Sequence, residues 1–176
     1  MLKSVFGLSL LVCLNASAQW IDKSGKPLPD TDDRKAIGHF GAEIVFTTDA
    51  EQLEKTWATP SDTVHVDSID RARINQPISA FIVFSGCQAT STGKCNVSMT
   101  FRVIQPDGKV YATTPEMEVW QDKDGPGSAL ALSVQYLRIR IEPHESRGRY
   151  TVYVEVRDNN SGKVLALKKT FMAADV

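Results

Sequence analysis

Along most of this chain apolar residues fall at every second position. Val64 and Val66 alternate with His65 and Asp67, and Val97, Met99, Phe101 and Val103 with Ser98, Thr100 and Arg102. Leu130, Leu132 and Val134 keep the same period, as do Leu137, Ile139 and Ile141 against Arg138, Arg140 and Glu142. Tyr150, Val152, Val154 and Val156 alternate with Thr151, Tyr153, Glu155 and Arg157. A period of two predicts strands with one buried face. Ile78 to Phe84 is apolar except for Ser79, as expected of a central strand covered on both sides. Ala42–Thr48, Met117–Trp120 and Lys163–Phe171 complete a set of about nine strands.

Turn chemistry separates these runs. Pro106-Asp107-Gly108 leads into Lys109-Val110-Tyr111, and Asp158-Asn159-Asn160-Ser161-Gly162 leads into Lys163. Gln121–Ser128 reads as a charged, Gly- and Pro-rich loop. Helical spacing is clear in Asp49–Trp57, where Leu53 and Trp57 lie four apart and Thr48 or Asp49 can cap the first turn. Pro60 closes it. The expected fold is an all-β, antiparallel sandwich with one short helix.

The first residues follow another logic. Lys3, the apolar run Val5–Leu14 and Ala16-Ser17-Ala18 have the layout of a signal peptide cleaved after Ala18. The run is too short to span a bilayer, which needs about 20 apolar residues. Lipidation at Cys13 is disfavoured, because Val12 stands where lipoprotein signals carry a small residue. The expected division is a signal peptide over 1–18, a polar N-terminal arm over 19–40 and a β-sandwich over 41–176. The expected location is a periplasm. Arm residues Trp20-Ile21-Asp22-Lys23-Ser24-Gly25-Lys26 resemble the Trp-x-Asp-x-x-Gly opening of some small bacterial envelope domains.

Cleavage at that point leaves 158 residues, enough for one domain with a proper core. In the whole chain 20 Lys and Arg balance 21 Asp and Glu. That balance argues against nucleic acid as a partner. With Cys13 removed, Cys87 and Cys95 remain as an even pair in an exported chain, which predicts a disulfide. The short loop between them predicts about 2.5 kcal/mol of stabilisation. A redox-active pair would need Cys-x-x-Cys at a helix start, and neither cysteine has the company of a zinc site.

Leu137–Pro143, the strand Gly148-Arg149-Tyr150-Thr151-Val152-Tyr153-Val154-Glu155-Val156, the turn that follows it and Phe171 resemble the last strands of immunoglobulin-like and fibronectin-like domains. The chain after the leader is also similar to exported bacterial proteins of that build. The resemblance implies an immunoglobulin-like β-sandwich in which the Tyr150 hydroxyl bonds backbone at a corner. The Cys87–Cys95 spacing departs from the inter-sheet bridge of antibody domains. No catalytic or binding residue carries across.

Chemistry is sparse. His65 and Asp67 share a strand face and lack a third ligand, so a surface pair is expected rather than a metal site; His39 lies at the arm–domain junction, and His144 lies in the charged turn Glu142-Pro143-His144-Glu145, expected as a solvated turn rather than a cation site. There is no Gly-x-Ser-x-Gly elbow and no phosphate loop. Glu116 and Glu118 are the nearest thing to paired carboxylates. Arg102, Arg138, Arg140, Arg149 and Arg157 would form a cationic face if their strands adjoin, and Trp120 opens a long loop suited to a partner or lies buried at a strand end. Trp120, Arg138 and Arg140 are the candidate binding residues. The expected function is binding another envelope protein without chemistry or cofactor. The alternatives are an inhibitor or immunity protein against a cell-wall enzyme or toxin, or a hydrolase with a fold-assembled carboxylate site. A pilus-type chaperone would need a second sandwich.

Overall fold

The computed structural model describes residues 20, 24, 26, 28–59 and 68–175. Residues 1–18, expected as a signal peptide and including Cys13, lie outside the described residues, as do Pro60 and the His65–Asp67 pair. In chain order the elements are β1 (Arg34–Ile37), β2 (Phe40–Thr47), α1 (Ala50–Ala58), β3 (Arg71–Arg73), β4 (Pro77–Ser85) and β5 (Lys94–Ile104). Then come β6 (Val110–Thr113), β7 (Met117–Asp124), β8 (Ala131–Leu132), β9 (Leu137–Arg140), β10 (Gly148–Asp158) and β11 (Lys163–Ala174).

Two sheets face each other. The first runs β1-β2-β4, with β8 and β9 both on the far edge of β4. The second runs β3-β11-β10-β5, with β6 and β7 sharing the far edge of β5. Pairing is antiparallel except for β3 on β11. The order β2-β4-β9 against β11-β10-β5 matches the A-B-E and G-F-C strands of an immunoglobulin-like sandwich. The Tyr150 ring is fully buried, and its hydroxyl donates to the Ser146 carbonyl at 2.7 Å, so the expected corner is present.

The core lies between the sheets. Alternate residues of β10 (Tyr150, Val152, Val154, Val156) meet Ile44, Phe46, Ile82 and Phe84 of the first sheet. A second cluster of Val45, Leu53, Phe81, Val83 and Leu132 lies on the outer face of the first sheet, packed by Trp20, Trp57 and Tyr136. Helix α1 forms there because Asp49 caps it, accepting from Gln52 N–H at 2.9 Å, and because Leu53 has this apolar face to cover. Double coverage explains why β4 is buried at seven consecutive positions, from Ile78 to Val83 and on to Phe84.

Several expectations need correction. The arm ends in structure: Arg34–Ile37 pairs with Phe40–Glu43, a strand too short and polar to show a period. β3 is likewise only three residues long. Gln121–Asp124 is not loop but continues β7 beside Lys94–Asn96, past two register shifts. In Leu130–Val134 the alternation misleads: Ala131 and Leu132 are buried, whereas Leu130 and Val134 are 50% and 42% exposed. That segment crosses between sheets, with Ser133 N–H donating to Ile82 O and Val134 N–H to Val119 O. The five-arginine face does not form. Arg138 and Arg140 lie on the first sheet, and Arg102, Arg149 and Arg157 on the second.

Candidate functional site

One end of the sandwich is tied together by a disulfide and a hydrogen-bond network. It is built from the β1–β2 turn at Gly38-His39, the β4–β5 loop, the β7–β8 loop and the β10–β11 turn. The Cys87–Cys95 disulfide forms as expected, with Cα atoms 6.1 Å apart, and ties the exit from β4 in one sheet to the start of β5 in the other. Within its loop Thr90 N–H donates to Lys94 O at 2.8 Å, and Gly93 N–H to Thr90 O at 2.9 Å. Gly86 holds φ at 67°, and a Cβ there would stand 1.6 Å from the His39 carbonyl oxygen, so only glycine lets the first turn back onto the loop.

Asp158 organises this end. It is 1% exposed and anchors the β10–β11 turn. Its Oδ2 accepts from Gln88 N–H at 2.9 Å and Ser161 Oγ–H at 2.5 Å, and its Oδ1 from Asn160 N–H at 3.2 Å. Three donors offset the cost of burying the carboxylate. Asn160 completes the tie, its Nδ2 donating to Gln88 O at 2.7 Å and Lys94 O at 3.1 Å. Across the end, Gly86 N–H donates to Gly127 O and Gly125 N–H to Gly93 O. The surface left outward is small and polar: Thr90, Ser91, Thr92, Asn159 and Asn160 are exposed. Thr90 and Thr92 hydroxyls bond each other and the Asn160 amide is bonded within the end, while side chains of this kind supply adaptable hydrogen bonding.

Trp120 supports this end more than it presents itself. It is half-buried, with its ring edge-on to Phe84 at 5.7 Å between centroids and its Nε1–H donating to Asp124 O at 3.1 Å. Lys123 Nζ stands 5.0 Å from the ring centroid. Arg138 and Arg140 are exposed on β9, on the opposite sheet, so the structure does not bring the three candidate residues together. Paired charges on a four-residue edge strand also discourage strand addition. His39 belongs to the loop end through its backbone, whereas His144 sits in an exposed turn, Nδ1 3.5 Å from Glu142 Oε2.

Glu116 and Glu118 line a shallow cleft of about 190 Å³ with Asn96, Ser98, Gln121 and Asn159. Much of its polar capacity is used internally: Asn159 Nδ2 donates to Asn96 Oδ1 at 2.9 Å and Ser98 Oγ at 3.1 Å. Sequence reasoning missed Asp158 and Asn160 as organisers. The Asp-Asn-Asn-Ser-Gly composition signals an Asx turn, but the bond from Asp158 to Gln88 spans 70 residues and has no local signature.

No protein-family model and no curated protein matches the chain. Among solved structures it is similar to a family 123 glycoside hydrolase from Clostridium perfringens at 15% identity and TM-score 0.45, covering 78% of this chain but 28% of the enzyme. It is similar to the CARDB domain of a Pyrococcus furiosus protein, solved with di-metal ions, at 8% identity and TM-score 0.36, covering 84% of this chain and all of that domain. An immunoglobulin-like protein from Pseudomonas aeruginosa follows at 16% identity and TM-score 0.32, covering 75% and 90% of the two chains. The fold assignment rests on the strand pairing and the Tyr150 corner.

Proposed function

We propose that the protein acts by binding, through its stapled loop end, a second protein of the periplasm or cell envelope. The observation that carries this reading is the network around Asp158 and the disulfide, which fixes loops from both sheets in one geometry before any partner arrives. Pre-ordering of that kind lowers the entropic cost of association. Loops held on a rigid sandwich are where binding residues concentrate. The disulfide itself is the chemistry of an oxidising compartment and supports an exported protein. No helix among the described residues is long and apolar enough to cross a membrane.

The test is crosslinked affinity capture from the native periplasm with the oxidised protein and with Thr92→Arg, a change at the exposed loop tip. One stoichiometric protein held by the parent and lost by the variant is expected. Capture of no protein by the parent, or equal capture by the variant, would overturn the reading. Inhibition of a cell-wall enzyme or toxin is a special form of it, read out as loss of the captured protein's activity.

A further inference from the structure

A second surface lies on the outer face of the second sheet and reaches the loop end only at Arg157, the residue before Asp158. Because Ala72, Phe101, Val152, Val154 and Leu167 point into the core, their neighbours point out. Register places Arg71, Met172 and Arg149 in one row across β3, β11 and β10. Lys168, Tyr153 and Arg102 form a second row across β11, β10 and β5, and Arg157 follows along β10. Lys168 faces Asp32 at 3.3 Å. Arg71, Arg102, Arg149 and Arg157 are exposed, and none has an ion-pair partner among the described residues. Arg102 instead lies over the Tyr153 ring, 5.2 Å from its centroid, and Tyr153 is 37% exposed. Among the described residues no helix covers this face, in contrast to the outer face of the first sheet.

We infer that this face is a docking surface for an acidic polypeptide segment. Four guanidiniums with no ion pair among the described residues, on one sheet, raise the local positive potential in a chain whose overall charge is −1. A guanidinium matches a carboxylate through two parallel hydrogen bonds. The stacked Arg102–Tyr153 pair combines the residue types that anchor protein interfaces. Glu155 sits on the same face between the Tyr153 and Arg157 positions, and Glu118 lies in the Arg157 row across Ser98, so the positive charge is interrupted. That spacing suits carboxylates set apart along a peptide better than a dense phosphate surface.

The probed residues Arg149, Tyr153 and Arg102 lie at the far end and middle of β10 and β5, away from Asp158, so the two readings fail separately. The probe is poly-L-glutamate added to the oxidised, isotope-labelled protein, followed by amide shifts in NMR. Saturable shifts centred on Tyr153, Arg102 and Arg149, weakening with added salt, are expected. Arg102→Ala with Arg149→Ala should weaken binding about tenfold, whereas Arg138→Ala with Arg140→Ala, on the opposite sheet, should leave it unchanged. Both pairs are surface changes, and matching melting curves check their folding. Absence of binding, shifts centred elsewhere, or equal weakening by both pairs would overturn the proposal. Equally tight binding to phosphatidylglycerol vesicles would do so as well, by showing a surface that reads negative charge of any kind.

Discussion

The two sheets of this sandwich share one core but differ on their outer faces. The first carries Val45, Phe81 and Val83 outward and covers them with α1, Trp20 and Tyr136. The second carries Arg102, Tyr153, Glu155 and Arg157 outward and leaves them in solvent. Double burial demands a continuous apolar run, as in β4, whereas single burial permits strict alternation, as in β10. Coverage costs the first sheet its capacity to meet a partner face-on. The bare sheet keeps that capacity, and the loop end joins the two.

The largest expected break in this comparison is Phe81→Ala. Phe81 is fully buried on the covered face and stacks on Tyr136 with centroids 4.1 Å apart. Its truncation should cost about 3–5 kcal/mol in urea unfolding, whereas Tyr153→Ala on the bare face should cost less than about 1 kcal/mol. Equal losses would show that the faces are not differently covered.

Next comes the staple between the sheets. Replacing Cys87 and Cys95 by serine should remove about 2.5 kcal/mol and speed amide exchange in both Gly86–Lys94 and Asn159–Ser161, because Asp158 and Asn160 couple the two segments. Faster exchange confined to the first segment would separate what the hydrogen bonds join. Inside the second sheet, Tyr150→Phe keeps the ring stacked on Phe171 but frees the Ser146 carbonyl, for a loss of about 1 kcal/mol seen as a lower melting temperature.

The smallest effect lies in the charges beside β1. Burial holds the Glu43 carboxyl above its ordinary range, although Arg34 and Lys169 pull it down. The folded protein therefore binds that proton more tightly, and the associated stability is present below the ordinary glutamate value of 4.5 and fades as pH rises through the folded one. Asp33 behaves oppositely. Burial pushes its carboxyl up, but the Lys169 hydrogen bond at 2.8 Å, the Thr31 hydroxyl and the Lys169 charge together bring it below its ordinary range. Its contribution is present above the ordinary aspartate value and is lost as pH falls through the folded one. Glu43→Gln should raise stability slightly at pH 7 and Asp33→Asn should lower it, in unfolding curves at pH 4 and 7. The same sign for both at pH 7 would contradict these assignments.

Much of this architecture was legible in the sequence because sheets write their burial at period two. The core faces of β5, β9 and β10, the double burial of β4, the capped helix, the Tyr150 corner and the disulfide all follow from local pattern or composition. What escaped was set by pairing. β1 and β3 are too short to carry a period, and β7 persists past Trp120 only because β5 offers it a partner. Leu130 and Val134 are exposed because their segment changes sheets. The arginines divided for the same reason: alternation says which residues point outward, while strand order decides which sheet they share. The organiser of the candidate site, Asp158, depends on a contact with Gln88 that no local signal foretells.

Contact between the stapled loop end and the proposed partner is read by a photo-crosslinking residue placed at Thr92 of that end or at Glu54 on helix α1, in the oxidised protein in its native compartment. One protein is expected to be captured from position 92 and not from position 54. Capture from position 54 with none from position 92 would contradict that contact.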